Sequence, residues 1–279
     1  MGGKLFLTAT PIGNLEDITL RALRVLKEAD IIAAEDTRRT RKLLTHFDIH
    51  TPLTSYYEQN KKLKTAYLIS LLQQGKNIAL VSDAGTPGIS DPGSELVQKA
   101  IEVGAEVIPV PGAVAFITAL IASGLPAEEF VFYGFLPRKD KELRAAVGKL
   151  QMENRTAIFY EAPHRILKTL QVFAEILPEH PMVAARELTK IYEEFVRGKA
   201  REVYAHFLQN PPKGEFCLVL GGNGKQITPA DTEGILDQAK EYYQEQLIQG
   251  IAKKEALKKT AQKFGLSKNI LYQKWVCPK

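Results

Sequence analysis

The stretch Val81-Ser-Asp-Ala-Gly-Thr-Pro-Gly-Ile-Ser-Asp-Pro-Gly93 decides how the rest of the chain is interpreted. It follows a strand-like run, residues 78–82, and precedes a helix predicted to begin near Asp91-Pro92, with Ser90 or Asp91 as its cap. Three glycines and two prolines in thirteen residues are more than an ordinary strand-to-helix turn carries. Glycine lets a ligand approach bare backbone, and such loops at the carboxyl end of a strand are typical ligand sites of open α/β sheets. We therefore expect a binding site here.

Length and composition indicate a soluble globular protein of two domains with a small appendage. The chain has 279 residues, of which 45% are hydrophobic and 25% charged. Its two cysteines, Cys217 and Cys277, lie far apart, so we expect neither a disulfide framework nor a metal site, and we expect the reducing cytoplasm. The chain opens on a strand-like run rather than a signal peptide. Its longest apolar stretch, residues 114–125, is too short to span a bilayer, so no membrane association is expected.

Strand-like and helix-like segments alternate over residues 1–123, which predicts an N-terminal α/β domain with a mostly parallel sheet and helices on both faces. The first helix is predicted to be capped by Asp17. Two strands end in loops that contain proline and glycine, at residues 83–93 and 111–113, and we expect both loops to border one cleft. The predicted strands are residues 5–9, 30–34, 78–82 and 106–110, and the predicted helices are residues 17–29, 37–46, 65–74, 94–103 and 114–125.

The break at Gly124-Leu-Pro126 begins a second predicted α/β domain, residues 124–224. It is expected to contain antiparallel pairs, because residues 194–201 resemble a hairpin that turns at Gly198-Lys199. The predicted strands are residues 130–133, 156–159, 182–187 and 216–220, and the predicted helices are residues 140–152, 164–177 and 200–208.

Residues 225–279 form a helical tail of the helix-turn-helix type, with predicted helices at 232–247, 253–264 and 267–275. Ala256, Leu257, Ala261 and Leu266 supply the predicted packing seam, and Ser267 is the predicted cap of the last helix. Residues 240–279 carry nine lysines against three glutamates, which favours a polyanionic partner. A solvated helical face, or a small helical hairpin that packs on a neighbour or a dimer partner, explains the same pattern, and both interpretations stay open.

Seven segments in order carry a resemblance to a known family. They are the opening loop, Thr10-Pro-Ile-Gly-Asn-Leu15, Glu35-Asp-Thr-Arg38, Pro111-Gly112, Tyr133-Gly-Phe-Leu-Pro137, Tyr160-Glu-Ala-Pro-His-Arg165 and Ala185-Arg-Glu-Leu-Thr-Lys190. Together they resemble the tetrapyrrole-methylase-like (class III) S-adenosylmethionine-dependent methyltransferases, and within them the members that methylate small-subunit ribosomal RNA. The resemblance covers roughly residues 4–222 and the tail.

The resemblance implies a two-domain α/β fold with S-adenosylmethionine held folded in the cleft between the domains. It implies a homodimer that methylates the ribose 2′-hydroxyl of a cytidine, number 1402 in ribosomal numbering, in the 16S RNA of the 30S subunit, without a metal ion. The chain departs from many relatives in having Tyr57 and Gln59 where they carry histidine, so histidines at these two positions cannot be essential bases here.

Main-chain groups suit this cofactor. Backbone N–H groups in glycine-rich turns and at helix N-termini bind a carboxylate, and carbonyl groups suit the cationic centres and the adenine amine. A loop-bracing or helix-capping role is the alternative for Asp83, and capping is favoured for Asp91. By the resemblance, the cofactor-binding residues are Pro11, Asp83, Ala84, Gly85, Thr86, Ile89, Val114, Ala115, Glu161, Ala185, Gly214 and Glu215.

Methyl transfer to a hydroxyl is an in-line displacement, which needs a positioned acceptor and is helped by a base or a nearby cation. The predicted catalytic residues are Lys190, Glu187 and Arg186, and His164 is a further candidate. A structural ion pair after a buried strand explains Glu187 and Arg186 nearly as well, and for His164 capping or bracing of a helix is favoured.

RNA binding requires cations on the rim of the cleft. Residues 38–42 place four cations in five positions, with tyrosines soon after for stacking. The alternative is a solvated amphipathic helix with Leu43 and Leu44 toward the core. The predicted RNA-binding residues are Arg38, Arg39, Arg41, Lys42, Tyr57, Asn60, Arg138, His164 and Arg165.

Two other functions fit the same scaffold. A tetrapyrrole C-methyltransferase would act on a polycarboxylate and would not need the tail or the cations of residues 38–42. A non-catalytic relative would bind RNA and retain the cofactor fold.

Overall fold

The computed structural model describes residues 2–223, 229–264, 271 and 275, and contains two five-stranded sheets. The first sheet has the strand order β3-β2-β4-β1-β5 and all its strands are parallel. Its elements are β1 (Lys4–Thr8), α1 (Leu20–Glu28), β2 (Ile31–Ala34), α2 (Thr37–His46), β3 (Leu53–Ser55), α3 (Lys61–Gln73), β4 (Ile78–Val81), α4 (Ser94–Glu102), β5 (Glu106–Val110) and α5 (Ala115–Ser123).

The first sheet is parallel because helices cover both of its faces. Its central strand β4 is buried at all four positions, as expected of a continuous apolar run. Leu26 of α1 and Leu44 of α2 pack on one face, whereas Leu68 of α3 and Leu96 of α4 pack on the other. In such a sheet a ligand binds at the loops that follow the carboxyl ends of the strands.

The second sheet has the order β6-β7-β10-β8-β9 and is mixed: β6 and β7 are parallel and the other neighbours are antiparallel. Its elements are β6 (Phe130–Phe135), α6 (Asp140–Lys149), β7 (Thr156–Glu161), α7 (Ile166–Ile176), β8 (Pro181–Arg186), β9 (Glu194–Lys199), α8 (Ala200–Gln209) and β10 (Phe216–Leu220). Helices α6, α7 and α8 cover one face. Helix α5 packs on the other face, with Ala119 and Leu120 against Ile158 and Val183, and so joins the two sheets.

Most predicted elements agree with the structure to within a few residues, but several boundaries were wrong. Asp17 lies in a 3-10 turn, Leu15–Asp17, that Asn14 caps, and the side chain that caps α1 is Thr19. Helix α4 begins at Ser94 behind Gly93, so neither Ser90 nor Asp91 caps it.

Three other boundaries also differ from the prediction. Helix α3 begins at Lys61 rather than residue 65, and α7 begins at Ile166 rather than at His164. The predicted hairpin at Gly198-Lys199 is wrong, because both residues belong to strand β9, which pairs with β8 along its whole length. The chain reverses instead between residues 187 and 193.

The described part of the tail contains two packed helices, α9 (Pro229–Ile248) and α10 (Lys253–Phe264). Tyr243 packs with Ala256 and Leu257 in a small apolar cluster that includes the ring of Trp275, and Ala261 lies at its edge. The predicted seam is confirmed at these three positions of α10, whereas Leu266 and Ser267 lie outside the described residues. Within the described ranges, no helix has the length and apolar character needed to cross a membrane.

Candidate active site between the two sheets

A cavity of about 390 Å³ lies where the carboxyl end of β4 approaches the carboxyl ends of β7 and β8. This volume is within the usual range for small-molecule sites, and the position is the usual one for a ligand of an α/β sheet. Its lining residues are Ile12, Glu35, Arg39, Asp83, Ala84, Gly85, Thr86, Ile89, Ser90, Asp91, Val114, Ala115, Phe135, Tyr160, Glu161, Ala162, Pro163, Ala185, Glu187, Leu188, Lys190, Glu215, Phe216 and Cys217.

The structure brings ten of the twelve residues predicted for the cofactor to this cavity. Pro11 lines a neighbouring groove instead. Gly214 has a φ of 83°, and a Cβ atom there would overlap the carboxylate of Glu187, so Gly214 acts by leaving room for that side chain. The ten are Asp83, Ala84, Gly85, Thr86, Ile89, Val114, Ala115, Glu161, Ala185 and Glu215.

The opening loop is fixed to the loop after β1. Thr10 and Gly85 exchange two backbone hydrogen bonds, of 2.9 and 3.0 Å, and Gly85 has a φ of 79°. The hydroxyl of Thr86 donates to the carbonyl of Ala113 at 3.3 Å. The bond from Thr86 to Ala113 joins the two proline- and glycine-containing loops that were predicted to border one cleft.

Carboxylates outnumber cations in the cavity wall. Six acidic residues line it, namely Glu35, Asp83, Asp91, Glu161, Glu187 and Glu215, against the cations Arg39 and Lys190. A ligand that carries a positive centre is therefore favoured over a polyanion.

Glu35 and Asp91 are the least compensated of these acids. Burial raises the pKa of Glu35, and the charge of Asp91 raises it further. Burial also raises the pKa of Asp91, against a hydrogen bond from Ser82 that lowers it. The protein tolerates two partly desolvated carboxylates here, a cost that a cationic ligand would offset.

Asp83 braces the loops on which it lies. One carboxylate oxygen accepts the N–H of Asp36 at 2.9 Å, and the other lies 3.4 Å from the guanidinium of Arg39. Its own N–H donates to Glu35 Oε2 at 3.3 Å. The bracing role considered from the sequence agrees with these contacts.

Glu161 lines the cavity, but its carboxylate is bonded within the protein. It accepts the N–H of Ala162 at 2.9 Å and the hydroxyl of Thr169 at 2.6 Å, and Arg165 lies 3.5 Å away. Arg165 itself donates to the carbonyls of Leu136 and Pro137 at 3.0 and 2.9 Å. The predicted RNA contact of Arg165 is therefore not supported, because its guanidinium holds the loop after β6.

Lys190 is held between two carboxylates at the edge of the cavity. Its Nζ lies 2.9 Å from Glu187 Oε1 and 3.3 Å from Glu215 Oε2. Burial alone would lower the pKa of Lys190, but the hydrogen bond to Glu187 and the charge of Glu215 raise it. Lys190 is thus a cation near neutral pH, so of the two roles considered for it the structure supports the cation and not a neutral base.

The turn after β8 is strained, which is common at functional sites. Glu187 and Thr189 adopt positive φ values of 50° and 65° without being glycine. Burial raises the pKa of Glu187, but the hydrogen bonds from Lys190 and from the N–H of Glu215 lower it overall. Glu187 is therefore a weak base.

Arg186 does not line the cavity. Its side chain points to β9, where Nε lies 3.2 Å from Glu194 Oε2. The structure therefore supports the structural ion pair rather than the catalytic role for Arg186, with Glu194 in place of Glu187 as its partner. His164 is exposed in the turn before α7, does not line the cavity and does not cap the helix, so neither the catalytic nor the capping role is supported, and its RNA contact stays a prediction.

Some of the predicted RNA-binding residues are bonded to other groups of the protein. Arg38 makes two hydrogen bonds to Asp36, of 3.1 and 2.8 Å, and these hold the pKa of Asp36 near 2. Asn60 accepts the N–H of Tyr57 and donates to Ser55, so it ties its own turn. Tyr57 and Asn60 line neither this cavity nor the groove beside it.

The other predicted RNA-binding cations are better placed to contact RNA. Arg39 lines the cavity, and Arg41 and Lys42 lie exposed on α2. In the described ranges neither Arg41 nor Lys42 has an acidic partner within ion-pair distance, and the same holds for the exposed Arg138 after β6.

Several residues that line the cavity were not predicted from the sequence, notably Glu35, Asp91 and Tyr160. All three lie inside the quoted motifs, so the signal was present. Burial raises the pKa of Tyr160, whose hydroxyl accepts the N–H of Phe116 at 3.3 Å in the first turn of α5.

Cys217 is buried in the wall, which raises the pKa of its thiol to about 12. Across the described residues, no group of three or more His, Cys, Asp or Glu side chains is placed to hold a metal ion.

Comparisons with known proteins agree with the resemblance. Residues 4–204 match the family of Tetrapyrrole (Corrin/Porphyrin) Methylases. The chain is 51% identical to the ribosomal RNA small subunit methyltransferase I of Halalkalibacterium halodurans, over 97% of this chain and 93% of that protein. It is 48% identical to the protein of the same name from Bacillus subtilis, with the same coverage.

The fold resembles that of uroporphyrin-III C-methyltransferase from Thermus thermophilus, solved in complex with S-adenyl homocysteine. The TM-score is 0.55 at 19% sequence identity, over 78% of this chain and 97% of that one. Sequence and fold therefore agree that the chain belongs to the tetrapyrrole (corrin/porphyrin) methylase family, and within it to the ribosomal RNA small subunit methyltransferase I group.

Proposed function

We propose that the protein transfers a methyl group from S-adenosylmethionine to the ribose 2′-hydroxyl of a cytidine in the 16S RNA of the small ribosomal subunit. The observation that carries the proposal is the cavity between the sheets, which has an acidic wall, together with the unpaired cations of α2 just outside it. Cytidine 1402 is the nucleotide that the family resemblance implies. The enzyme would act in the cytoplasm, where the subunit is assembled.

The cavity residues fit S-adenosylmethionine. The carboxylates of Glu35 and Asp91 suit its positive sulfonium and ammonium groups, and Ala84, Gly85 and Ala185 provide the small side chains that expose main chain. Val114 precedes α5 without a side-chain cap, which leaves the helix N-terminus available to a carboxylate. When bound, this cofactor supplies the methyl group on an excellent leaving group.

The protein's own contribution is positioning and electrostatics. The bonds between Thr10 and Gly85, and between Thr86 and Ala113, preorganise the wall. Lys190, held by Glu187 and Glu215, places a fixed cation where a hydroxyl loses its proton. Glu215, which lies 3.3 Å from Lys190 at the edge of the cavity, is the carboxylate placed to accept that proton.

A tetrapyrrole C-methyltransferase is the second candidate, because the family and the fold include such enzymes. Its substrate is a polycarboxylate, which needs cations gathered around one compact site, whereas Arg38, Arg41 and Lys42 follow one another along the outside of α2. The unpaired cations of α2 lie outside the cavity and suit a phosphate backbone better. The structure therefore favours RNA as the acceptor.

The protein is proposed to act as a homodimer. An apolar surface remains exposed where α5 meets the edge strand β6: Ile121 is 73% exposed and Phe130 is 37% exposed. Phe116 stacks on Phe132 at 4.3 Å and contacts Phe130 within the same patch. A second copy would bury this patch and cover the unpaired edge of β6. Light scattering of the wild-type chain and of Phe130→Glu tests this, since the variant should be monomeric.

The direct test offers three acceptors to the enzyme with a methyl-labelled donor: small ribosomal subunits that lack the modification, naked 16S RNA, and uroporphyrinogen. We expect label on the RNA and none on uroporphyrinogen. Label on uroporphyrinogen alone would support the second candidate, and donor binding without any transfer would support a non-catalytic relative.

A further inference from the structure

A second cavity, of about 350 Å³, adjoins the first. The two share six residues, Ile12, Arg39, Asp83, Ala84, Lys190 and Glu215. The second cavity is otherwise lined by the loop after β1 and by α2, through Thr10, Pro11, Gly13, Leu15, Lys42 and Leu43. We call it the acceptor groove. Because the two cavities share a wall, a group bound in the acceptor groove lies next to the ligand of the first cavity.

The chemistry of the acceptor groove is amphipathic. Ile12, Leu15 and Leu43 give it an apolar surface that a flat ring can cover. Its charged groups are the cations of Arg39, Lys42 and Lys190 and the carboxylates of Asp83 and Glu215. Arg39 and Lys42 are three residues apart and hence on one face of α2. Arg39 has Asp83 as a partner at 3.4 Å, whereas Lys42 has no ion-pair partner in the part of the chain that the structure describes.

The groove continues onto the outside of α2. Lys42 also lines an open depression formed by Thr37, Arg38, Arg41, Thr45 and His46. Arg39 therefore belongs to the first cavity and the acceptor groove, and Lys42 belongs to the groove and the outer depression. The three cavities form one path, along which cations repeat at helical spacing.

We propose that the acceptor groove binds the target nucleotide of a single-stranded RNA segment, with its base against Leu15 and Leu43 and its flanking phosphates on Lys42 and Arg41. The inference rests on the proposed function and assigns where the acceptor sits. An extended strand fits the path because its bases can be turned outward, whereas a rigid A-form helix presents only its shallow groove and backbone. The shared Lys190 then lies at the boundary between donor and acceptor.

The first experiment fills the groove. Leu15→Trp places a large ring at the groove, and Leu20→Trp is its matched control, since Leu20 is 86% exposed and lines none of the three cavities. We expect Leu15→Trp to lower kcat/KM on small subunits by about tenfold or more. The dissociation constant of S-adenosylhomocysteine, measured by calorimetry, should stay within about twofold of the wild-type value in both variants.

The second experiment removes the unpaired charge and does not depend on how Leu15→Trp folds. Lys42→Ala should weaken binding of a single-stranded oligonucleotide of the target sequence and reduce the salt slope of that binding by about one. Lys62→Ala, which removes an exposed lysine from α3, is the control and should leave the slope unchanged.

The outcomes separate the two proposals. If the wild-type enzyme methylates no RNA, the proposed function fails and the acceptor groove fails with it. If the wild-type enzyme methylates RNA but Leu15→Trp and Lys42→Ala behave like their controls, only the groove assignment is wrong. Equal loss of cofactor affinity and RNA turnover in Leu15→Trp would also contradict it, because the groove would then not be a separate site.

Discussion

Gly13, after strand β1 of the first sheet, is in contact with Lys190, after strand β8 of the second sheet: a Cβ atom added to Gly13 would lie 2.5 Å from Lys190 Cγ. The same atom would lie 2.9 Å from the carbonyl oxygen of Leu188. The N–H of Asn14 donates to the hydroxyl of Thr189 at 3.1 Å beside this contact. The loop after β1 and the strained turn after β8 therefore interlock, and glycine is the residue that allows it.

Gly13→Ala should consequently disturb the cleft and the fold together. Overpacking against a backbone carbonyl costs about 1–3 kcal/mol, so the free energy of unfolding in urea should fall by that amount, with loss of cofactor affinity. Gly148→Ala in α6 is the control, because its Cβ atom would meet nothing within 4 Å; it should be neutral or stabilising by about 0.5–1 kcal/mol. Equal stability of the two variants would refute the interlock.

Glu35→Gln should discriminate between the two forms of the cofactor. The carboxylate favours a cationic ligand, so affinity for S-adenosylmethionine should fall by more than affinity for S-adenosylhomocysteine, whose sulfur is uncharged. Asp91→Asn should behave in the same way. Calorimetry with both ligands measures the two ratios, and an equal loss for both ligands would show that these acids do not recognise the positive centre.

Glu35→Gln should also raise the free energy of unfolding at neutral pH. The pKa of Glu35 is raised in the folded protein by burial and by Asp91, so the native state binds a proton more readily than the unfolded chain. The contribution of Glu35 to the free energy of unfolding is fully present below its ordinary pKa of 4.5. It is lost as the pH rises through the pKa that this carboxyl has in the folded protein. Glu35→Gln should thus raise the melting temperature more at pH 7 than at pH 4, and a constant difference would contradict the sign.

Lys190→Met should lower kcat without changing the acidic limb of the pH profile. Because Glu187 and Glu215 raise the pKa of Lys190 above 10.5, the wild-type enzyme should show no rise in rate from deprotonation of this lysine between about pH 6 and about pH 9. Lys190→Arg keeps the charge and should retain part of the activity. A basic limb that disappears in Lys190→Met would instead identify Lys190 as a neutral base.

Arg165→Met should destabilise the protein rather than weaken RNA binding. The change leaves the carbonyls of Leu136 and Pro137 without their donor, at a cost of about 1–3 kcal/mol. The salt dependence of oligonucleotide binding should be unaltered, in contrast to Lys42→Ala. A lower salt slope at unchanged stability would restore the RNA contact expected from the sequence.

The sequence predicted the two α/β units and ten of the residues in the cavity wall. Glycine, proline and alanine in a loop after a strand indicate main chain that a ligand can reach, because their side chains are small or compact. It could not show which charged residues have partners. Arg38 and Arg165 resemble RNA contacts in the sequence, yet their guanidinium groups bond Asp36 and two backbone carbonyls.

Asp91 illustrates the opposite error. Its position before Pro92 is typical of a helix cap, but the helix begins at Ser94, and tertiary burial places Asp91 in the cavity wall. The reversal after β8 was also hidden, because Glu187 and Thr189 adopt positive φ values without being glycine, in a turn that is bonded to distant residues such as Glu215 and Asn14. Glycine at residue 198 was the stronger local turn signal and was misleading.

The most direct measurement identifies the methylated nucleoside. Small subunits that lack the modification are treated with enzyme and labelled donor, and the RNA is digested and analysed by mass spectrometry. A single 2′-O-methylcytidine, which also protects the adjacent phosphodiester bond from alkaline cleavage, is the predicted result. Label on a cytosine ring, on another nucleoside, or only on a porphyrin carbon would contradict ribose methylation as the reaction of this cleft.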